Sequence, residues 1–402
     1  MSEGVKELLA LLRAFVHEAL LTEPEMQAVN QNLPQILHLA ELHKIRGIWA
    51  YQTREYARKH PDAIEPEIAE AAERIFAVVA QKAVISEKKY QELSGQLSRM
   101  GIDHLPFKGI LVKDLYPVPE LRTFGDIDIV IRPEDRERSH ALMQQLHYRA
   151  TVDFEPVYIY EREREVYEIH TSIMAVNMTN RADYIGYFQN LWKYAKETDN
   201  HVWAFTPEFH FVYLISHIAK HIYGSGAGIR MYLDLAFYIK QLGDTMDWAW
   251  IQAEVKKLAL DRFFYLTLDA TKRWFGVELP ITVPETEEAL FQRFTDFTME
   301  SDVFGYTGRS RGEQEVFKAG VHAKDGVRYQ ALKKSLFPSA NVLKSRYTYL
   351  QNHPWLLPVA WVDRLIRNAG SLERKLEESK EILTVKDETI QERNEFYHKI
   401  GL

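Results

Sequence analysis

The 402-residue sequence predicts an α+β fold, mostly helical, in which a small mixed-sheet core is flanked by N- and C-terminal helical modules. Three observations predict it. Apolar residues recur at three- and four-residue steps over the first hundred positions, the stretch GDIDIVI alternates apolar with polar side chains, and helical spacing returns from about Tyr184.

In the first hundred residues, Leu8, Leu9, Leu12, Phe15 and Val16 share one helical face. A second helical segment, QILHLAELHKIRGIWAYQTREYARKH, ends near His60 and Pro61. A third runs from about Pro66 to Met100 and stops at Gly101, a residue suited to a helix C-terminus. The pattern then shortens to HLPFKG, ILVKDLYP and TFGDIDIVIRP. In the last of these, Ile127, Ile129 and Ile131 fall on one strand face and Asp126, Asp128 and Val130 on the other, so the strand reads as half-buried. PEDRERSHALMQQLHY reads as a helix with acidic residues in its first turn, followed by β-like runs EPVYIYERE and VYEIHTSI. PEFHFVYLISHIAKHIY, IRMYLDLAFYIKQL, WAWIQAEVKKLAL and RFFYLTLDATKRWFG restore helical spacing, and a charged tail, SLERKLEESKEILTVKDETIQERNEFY, lies near the end. The expected organisation is a helical module over 1–100, an α/β core over 101–178, a helical module over 179–300 and a helical region with a charged tail over 301–402.

The totals narrow the function. With 57 acidic residues against 50 Lys and Arg, the net charge of −7 argues against an extended nucleic-acid-binding surface. The absence of cysteine excludes disulfides, thiolate metal sites and a cysteine nucleophile. No run approaches the roughly 20 apolar residues of a membrane span, and the N-terminus reads as an amphipathic helix and not a secretory signal. A cytoplasmic location is expected.

The chemistry-bearing residues cluster around the alternating strand. Two aspartates two apart on a strand have Cα atoms roughly 6–7 Å apart on the same side, which suits them to share divalent ions such as Mg²⁺ or Mn²⁺. Glu168, with His170 on the same face of its strand, is the candidate third carboxylate and proton acceptor; Glu163 and Glu165 compete for that role if the strand is continuous. Phe107-Lys108-Gly109 lies between a short strand and a helix, where glycine permits close backbone approach and Lys108 could meet a triphosphate; the alternative is a plain turn with a solvated lysine. Arg122 either pairs with phosphate or forms a surface ion pair with Glu120 or Asp126. Arg230 and Asp234 share a helix face and either pair with each other or leave Arg230 for phosphate. His217 and His221 also share a face, suited to packing, hydrogen bonding, substrate contact or zinc, although no third zinc ligand is evident.

In that order — PFKG, RTFGDIDIVI, a helix, YEIH and then HIAKHIYGSGAGIRMYLDLAFYI — the chain resembles the uncharacterised nucleotidyltransferase family of the DNA polymerase β-like superfamily, over about residues 30 to 275. The resemblance implies a polymerase β-like mixed sheet, two Mg²⁺ ions and transfer of a nucleoside monophosphate from NTP. It makes Asp126 and Asp128 the metal pair, Glu168 the third acid and Gly109 the phosphate-loop glycine. The loop departs from the wider pattern, because Lys108-Gly109-Ile110 has no serine to hydrogen-bond phosphate. The expected partners are a nucleotide and a small-molecule, peptide or protein acceptor, with a protein partner on the charged tail a further option. The competing readings are a catalytically silent nucleotide-binding regulator and a helical scaffold.

Overall fold

Apolar stripes fold the first helices onto one another. In a computed structural model that describes residues 4–402 apart from 164, 176, 179–180, 225, 302–311, 314, 317–325, 344–346, 348 and 368–371, α1 (Val5–Val16) buries the five apolar residues of its predicted face. Helix α2 (Glu23–Gln31) starts at Thr22, whose backbone N–H donates to the Glu25 carboxylate at 2.8 Å. The segment read as one helix before His60 is two, α3 (Leu33–Leu42) and α4 (Arg46–Lys59). Lys44 adopts φ 56° between them; its N–H donates to the Glu41 carbonyl and that of Ile45 to Ala40, which closes α3 with a Schellman turn. Helix α5 (Pro66–Arg99) packs beside α4 and then runs on toward the sheet.

Seven strands form one mixed sheet: β1 (His104–Pro106), β2 (Ile127–Ile131), β3 (Arg149–Phe154), β4 (Val157–Arg162), β5 (Glu165–His170), β6 (Ala195–Asp199) and β7 (Val202–Phe205), in the spatial order β3-β4-β5-β2-β1-β7-β6. Strand β2 runs antiparallel to β1 and parallel to β5, and β1 runs parallel to β7. Helices α6 (Gly109–Val112), α7 (Arg136–Gln145) and α8 (Tyr184–Gln189) fall between strands. The β6–β7 hairpin lies in a stretch read as helical. Its β6 strand is an edge with mostly exposed polar residues, so it carries no apolar alternation to announce it.

Strand β2 is buried on both faces, which corrects the half-buried reading. Ile127, Ile129 and Ile131 pack with Leu93 and Leu97 of α5 and Leu142 and Met143 of α7. Val130 joins the main core on the opposite side. That core is built by α1 to α4 together with α9 (Pro207–Gly224), α10 (Ile229–Leu242), α11 (Trp248–Lys257), α12 (Asp261–Phe275) and α13 (Glu288–Glu300). The protein is thus α+β and mostly helical, with α9 and α10 across a cleft from the polar residues of β2 and β5.

The charged tail, read as a solvated helix or a partner site, turns inward at its end. Phe396, Tyr397 and Ile400 of the last helix (Asp387–Ile400) join the main core, and the Tyr397 hydroxyl donates to the Ile222 carbonyl at 2.6 Å. Among the described residues, no helix is long and apolar enough to cross a membrane.

Candidate active site

Strand register assembles the acidic end of the site. Parallel pairing places Asp128 opposite Glu168 and Val130 opposite His170, so Asp128, Glu168 and His170 share a face. Their ligating atoms lie within 4.8 Å of one another. His170 Nε2 is 3.0 Å from Asp128 Oδ1 and 3.3 Å from Glu168 Oε2, and its ring stands edge-on to Phe107. Asp126 sits just ahead of β2 and lines the same cleft. Glu165 is spent elsewhere: it pairs with Lys89 and Arg162 and accepts from the Tyr148 hydroxyl. Glu163 lies outside β5, with φ 56° in the turn after β4.

Lys108 reaches into this cluster. At φ 59° it turns the chain between β1 and α6 and sends Nζ to Asp128 Oδ1 at 2.5 Å. It is therefore not the solvated lysine of a plain turn. Gly109 sits in a tight spot, where a Cβ would stand 3.2 Å from Phe124 Cβ and 3.3 Å from Arg122 Nη1. Helix α6, which Gly109 opens, has four residues, too few for the summed peptide dipole that makes a helix N-terminus an anion site.

The opposite wall comes from α9 and α10. Leu214, His217, Ile218, Lys220 and His221 project from α9 and Arg230, Met231 and Asp234 from α10, closing a cavity of about 320 Å³. Arg122, expected at phosphate or at Glu120 or Asp126, is buried against Asp234. Its Nε and Nη2 donate to the two carboxylate oxygens at 2.6 and 2.7 Å, and Nη1 donates to the Thr123 carbonyl. The Tyr116 hydroxyl donates to the same Asp234 carboxylate at 2.6 Å. Asp234 is thus committed to Arg122 and not to Arg230. Arg230 donates Nη1 to the Thr123 carbonyl at 2.9 Å, while its Nε is buried without a hydrogen-bond partner. Lys220, which the sequence reading did not single out, forms no ion pair among the described residues. Its signal was its spacing, three residues after His217 and on the same helix face.

Electrostatics divide the cleft. Burial, then the charge of Asp128, pushes Asp126 up to about 6, against the pull of Lys108. Burial also opposes ionisation of Asp128, but Lys108 and the His170 contact outweigh it and hold this carboxyl below the usual range. Burial, then Lys108, lowers Lys220. Burial, then Arg122, lowers Arg230 to about 10. His221 falls to about 4 through burial and Lys220, and His217 falls well below its ordinary value through burial and His221. Both imidazoles are neutral near pH 7, with ring centroids 4.5 Å apart, and among the described residues no acid or histidine completes a zinc site with them. Carboxylates crowded at β2 and β5, one of them raised by burial and then by its neighbour's charge, fit a divalent cation, and cations across the cleft with no ion pair among the described residues fit an anion.

A family model described as uncharacterised nucleotidyltransferase matches residues 30–276. The chain belongs to that family. No curated protein and no solved structure matches it. The family match spans the sheet, the loop bearing Lys108 and the two helices that close the cleft, and it supports nucleotidyl transfer as the general activity of this family member.

Two outcomes test the site's energetics. Asp234→Ala strands a buried guanidinium and is expected to cost about 3–5 kcal/mol of stability by urea denaturation; a loss below about 1 kcal/mol would show that the pair is dispensable. The second concerns pH. A folded-state pKa raised above the unfolded value means that the folded chain holds the extra proton between about pH 4 and 6, so stability falls as pH rises through that window. Relative to Asp126→Asn, wild type in chelator should lose about 2 kcal/mol between pH 4 and 6 and level off by about pH 7. Parallel stability profiles for the two proteins would contradict this assignment.

Proposed function

We propose that this cleft transfers a nucleoside monophosphate from an NTP to a hydroxyl or similar group on a small-molecule, peptide or protein acceptor. The observation that carries the reading is the meeting of Asp126, Asp128 and Glu168 with Lys220 and Arg230 in one cavity. Carboxylates alone would suit a structural cation, and cations alone would suit any anion. Both together suit a metal-bound polyphosphate.

Arg230 and Lys220 bind and orient the triphosphate, and Lys108 adds a third cation once it leaves Asp128 for phosphate. The acceptor oxygen bonds to the α-phosphorus, the bond from that phosphorus to its bridging oxygen breaks, and pyrophosphate leaves. Glu168, exposed to the cleft on the strand beside Asp128, takes the acceptor's proton. Asp126, Asp128 and Glu168, with His170 alongside, would hold Mg²⁺ or Mn²⁺, which neutralises charge on the phosphate oxygens when bound. In-line positioning supplies the rest.

Two observations favour a second reading. Lys108 Nζ occupies Asp128 Oδ1, and the loop lacks a serine, as a silent nucleotide-binding regulator would permit. That reading predicts nucleotide binding indifferent to Mg²⁺ and no pyrophosphate release.

Calorimetric titration of each NTP with Mg²⁺ into the full chain tests the proposal. At least one NTP should bind, and Asp126→Ala/Asp128→Ala should abolish the Mg²⁺-dependent part. Lys220→Ala and Arg230→Ala should each cost about 1.5–3 kcal/mol, or roughly 10- to 100-fold in Kd. Well-folded wild type that binds no NTP would sink the reading.

A further inference from the structure

A second cavity, of about 490 Å³, opens on the far side of residues 123–125. It lies between α4, the middle of α5 and that loop, and it shares Gly125 and Arg230 with the active-site cleft. The loop between the two cavities is held at both sides. The Thr123 hydroxyl donates to the Lys44 carbonyl, and the Thr123 carbonyl accepts from Arg122 and Arg230.

The walls of this groove are apolar and its rim is cationic. Ile75, Val78 and Val79 from α5 face Phe124 from the loop, and Val78 remains 49% exposed. Helix α4 passes close beneath through Gly47, where a Cβ would stand 2.9 Å from Val79 Cγ1. Around the rim lie Lys44, Arg46, Arg74 and Lys82, with Arg230 at the boundary with the first cleft and Glu41 the one lining carboxylate among the described residues. Lys44 and Arg46 share Glu41, and Arg74 pairs with Glu70. Lys82 forms no ion pair among the described residues, and Arg230 keeps its unpartnered Nε. This excess of positive charge stands out on a chain with a net charge of −7.

We infer that this groove is the acceptor subsite, and that the acceptor is an anion carrying an apolar body, held by its hydrophobic part against α5 and by its charge on Lys82 and the neighbouring cations. The inference rests on the nucleotidyl-transfer reading of the adjoining cleft. A nucleobase is the other candidate for apolar walls next to a triphosphate, but it is uncharged near pH 7 and leaves the cationic rim without a purpose. An anionic acceptor uses both features, and Arg230, at the boundary, faces the donor phosphates on one side and the acceptor on the other. The same rim disfavours cationic acceptors by like-charge repulsion.

A matched pair of fluorescent probes tests this on the full chain: 8-anilinonaphthalene-1-sulfonate, which has an apolar body and a sulfonate, and the uncharged N-phenyl-1-naphthylamine. The sulfonate should bind saturably at one site and at least tenfold more tightly than the neutral probe. Lys82→Glu and Val78→Asp, both at exposed positions of α5, should each weaken it at least tenfold while Mg²⁺-NTP binding is retained. The sulfonate should also bind with NTP already present. Sulfonate binding unchanged in both variants, neutral-probe binding of equal strength, or displacement of the sulfonate by NTP overturns the acceptor subsite while leaving the donor reading intact. Wild type that binds the sulfonate as expected but no NTP overturns the donor reading, and the acceptor assignment falls with it for that distinct reason.

Discussion

The parallel pairing of β2 with β5 sets Asp128 beside Glu168 and Val130 beside His170, and the rest of the cleft is arranged around that register. A slip of one residue would turn Asp128 toward Leu93 and Leu97 and drive isoleucines into the cleft. The isoleucine face of β2 therefore fixes the chemistry on the other face. Hydrophobic packing against α5 and α7 holds the acids where burial alone would oppose their charge. Lys108 offsets that cost at Asp128, while burial and the charge of Asp128 keep Asp126 raised.

A second constraint joins the two halves of the cleft. The Arg122–Asp234 pair, joined by Tyr116, fastens α10 to the segment leading into β2. Because Arg122 consumes Asp234, Arg230 is left with a buried, unpartnered donor. One buried ion pair thus anchors the wall and frees the cation that both cavities share. Leaving Arg230 without a carboxylate is costly in the resting protein, and an incoming phosphate would relieve that cost. The 123–125 strap, hydrogen-bonded to both arginines and to α4's approach, gives the cleft two compartments instead of one.

The strand placement of Asp128, Glu168 and His170 was legible in the sequence, because alternation along β2 and β5 is a local pattern. What escaped was set by tertiary packing. Arg122 and Asp234 lie 112 positions apart, and neither carries a local sign of the other. Lys220 carries no sign beyond its helical spacing from His217 until α9 brings it into the cleft. The break between α3 and α4 was hidden because Lys44, and not glycine, takes the left-handed position; His147 and Ala259 end other helices in the same way. Strand β6 is too polar and exposed to show a buried face, and the last helix gave its aromatic residues to the chain's own core.

On the proposed function, Asp128 and Glu168 are neighbours for the sake of a metal-bound nucleotide. The most direct measurement is anomalous diffraction from crystals grown with Mn²⁺ and a non-hydrolysable NTP analogue. Manganese is expected at Asp128 and Glu168, with analogue phosphates against Lys220 and Arg230 and Lys108 moved from Asp128 onto phosphate. An analogue bound outside this cleft, with Lys108 still on Asp128 and no manganese between the strands, would contradict the proposed function.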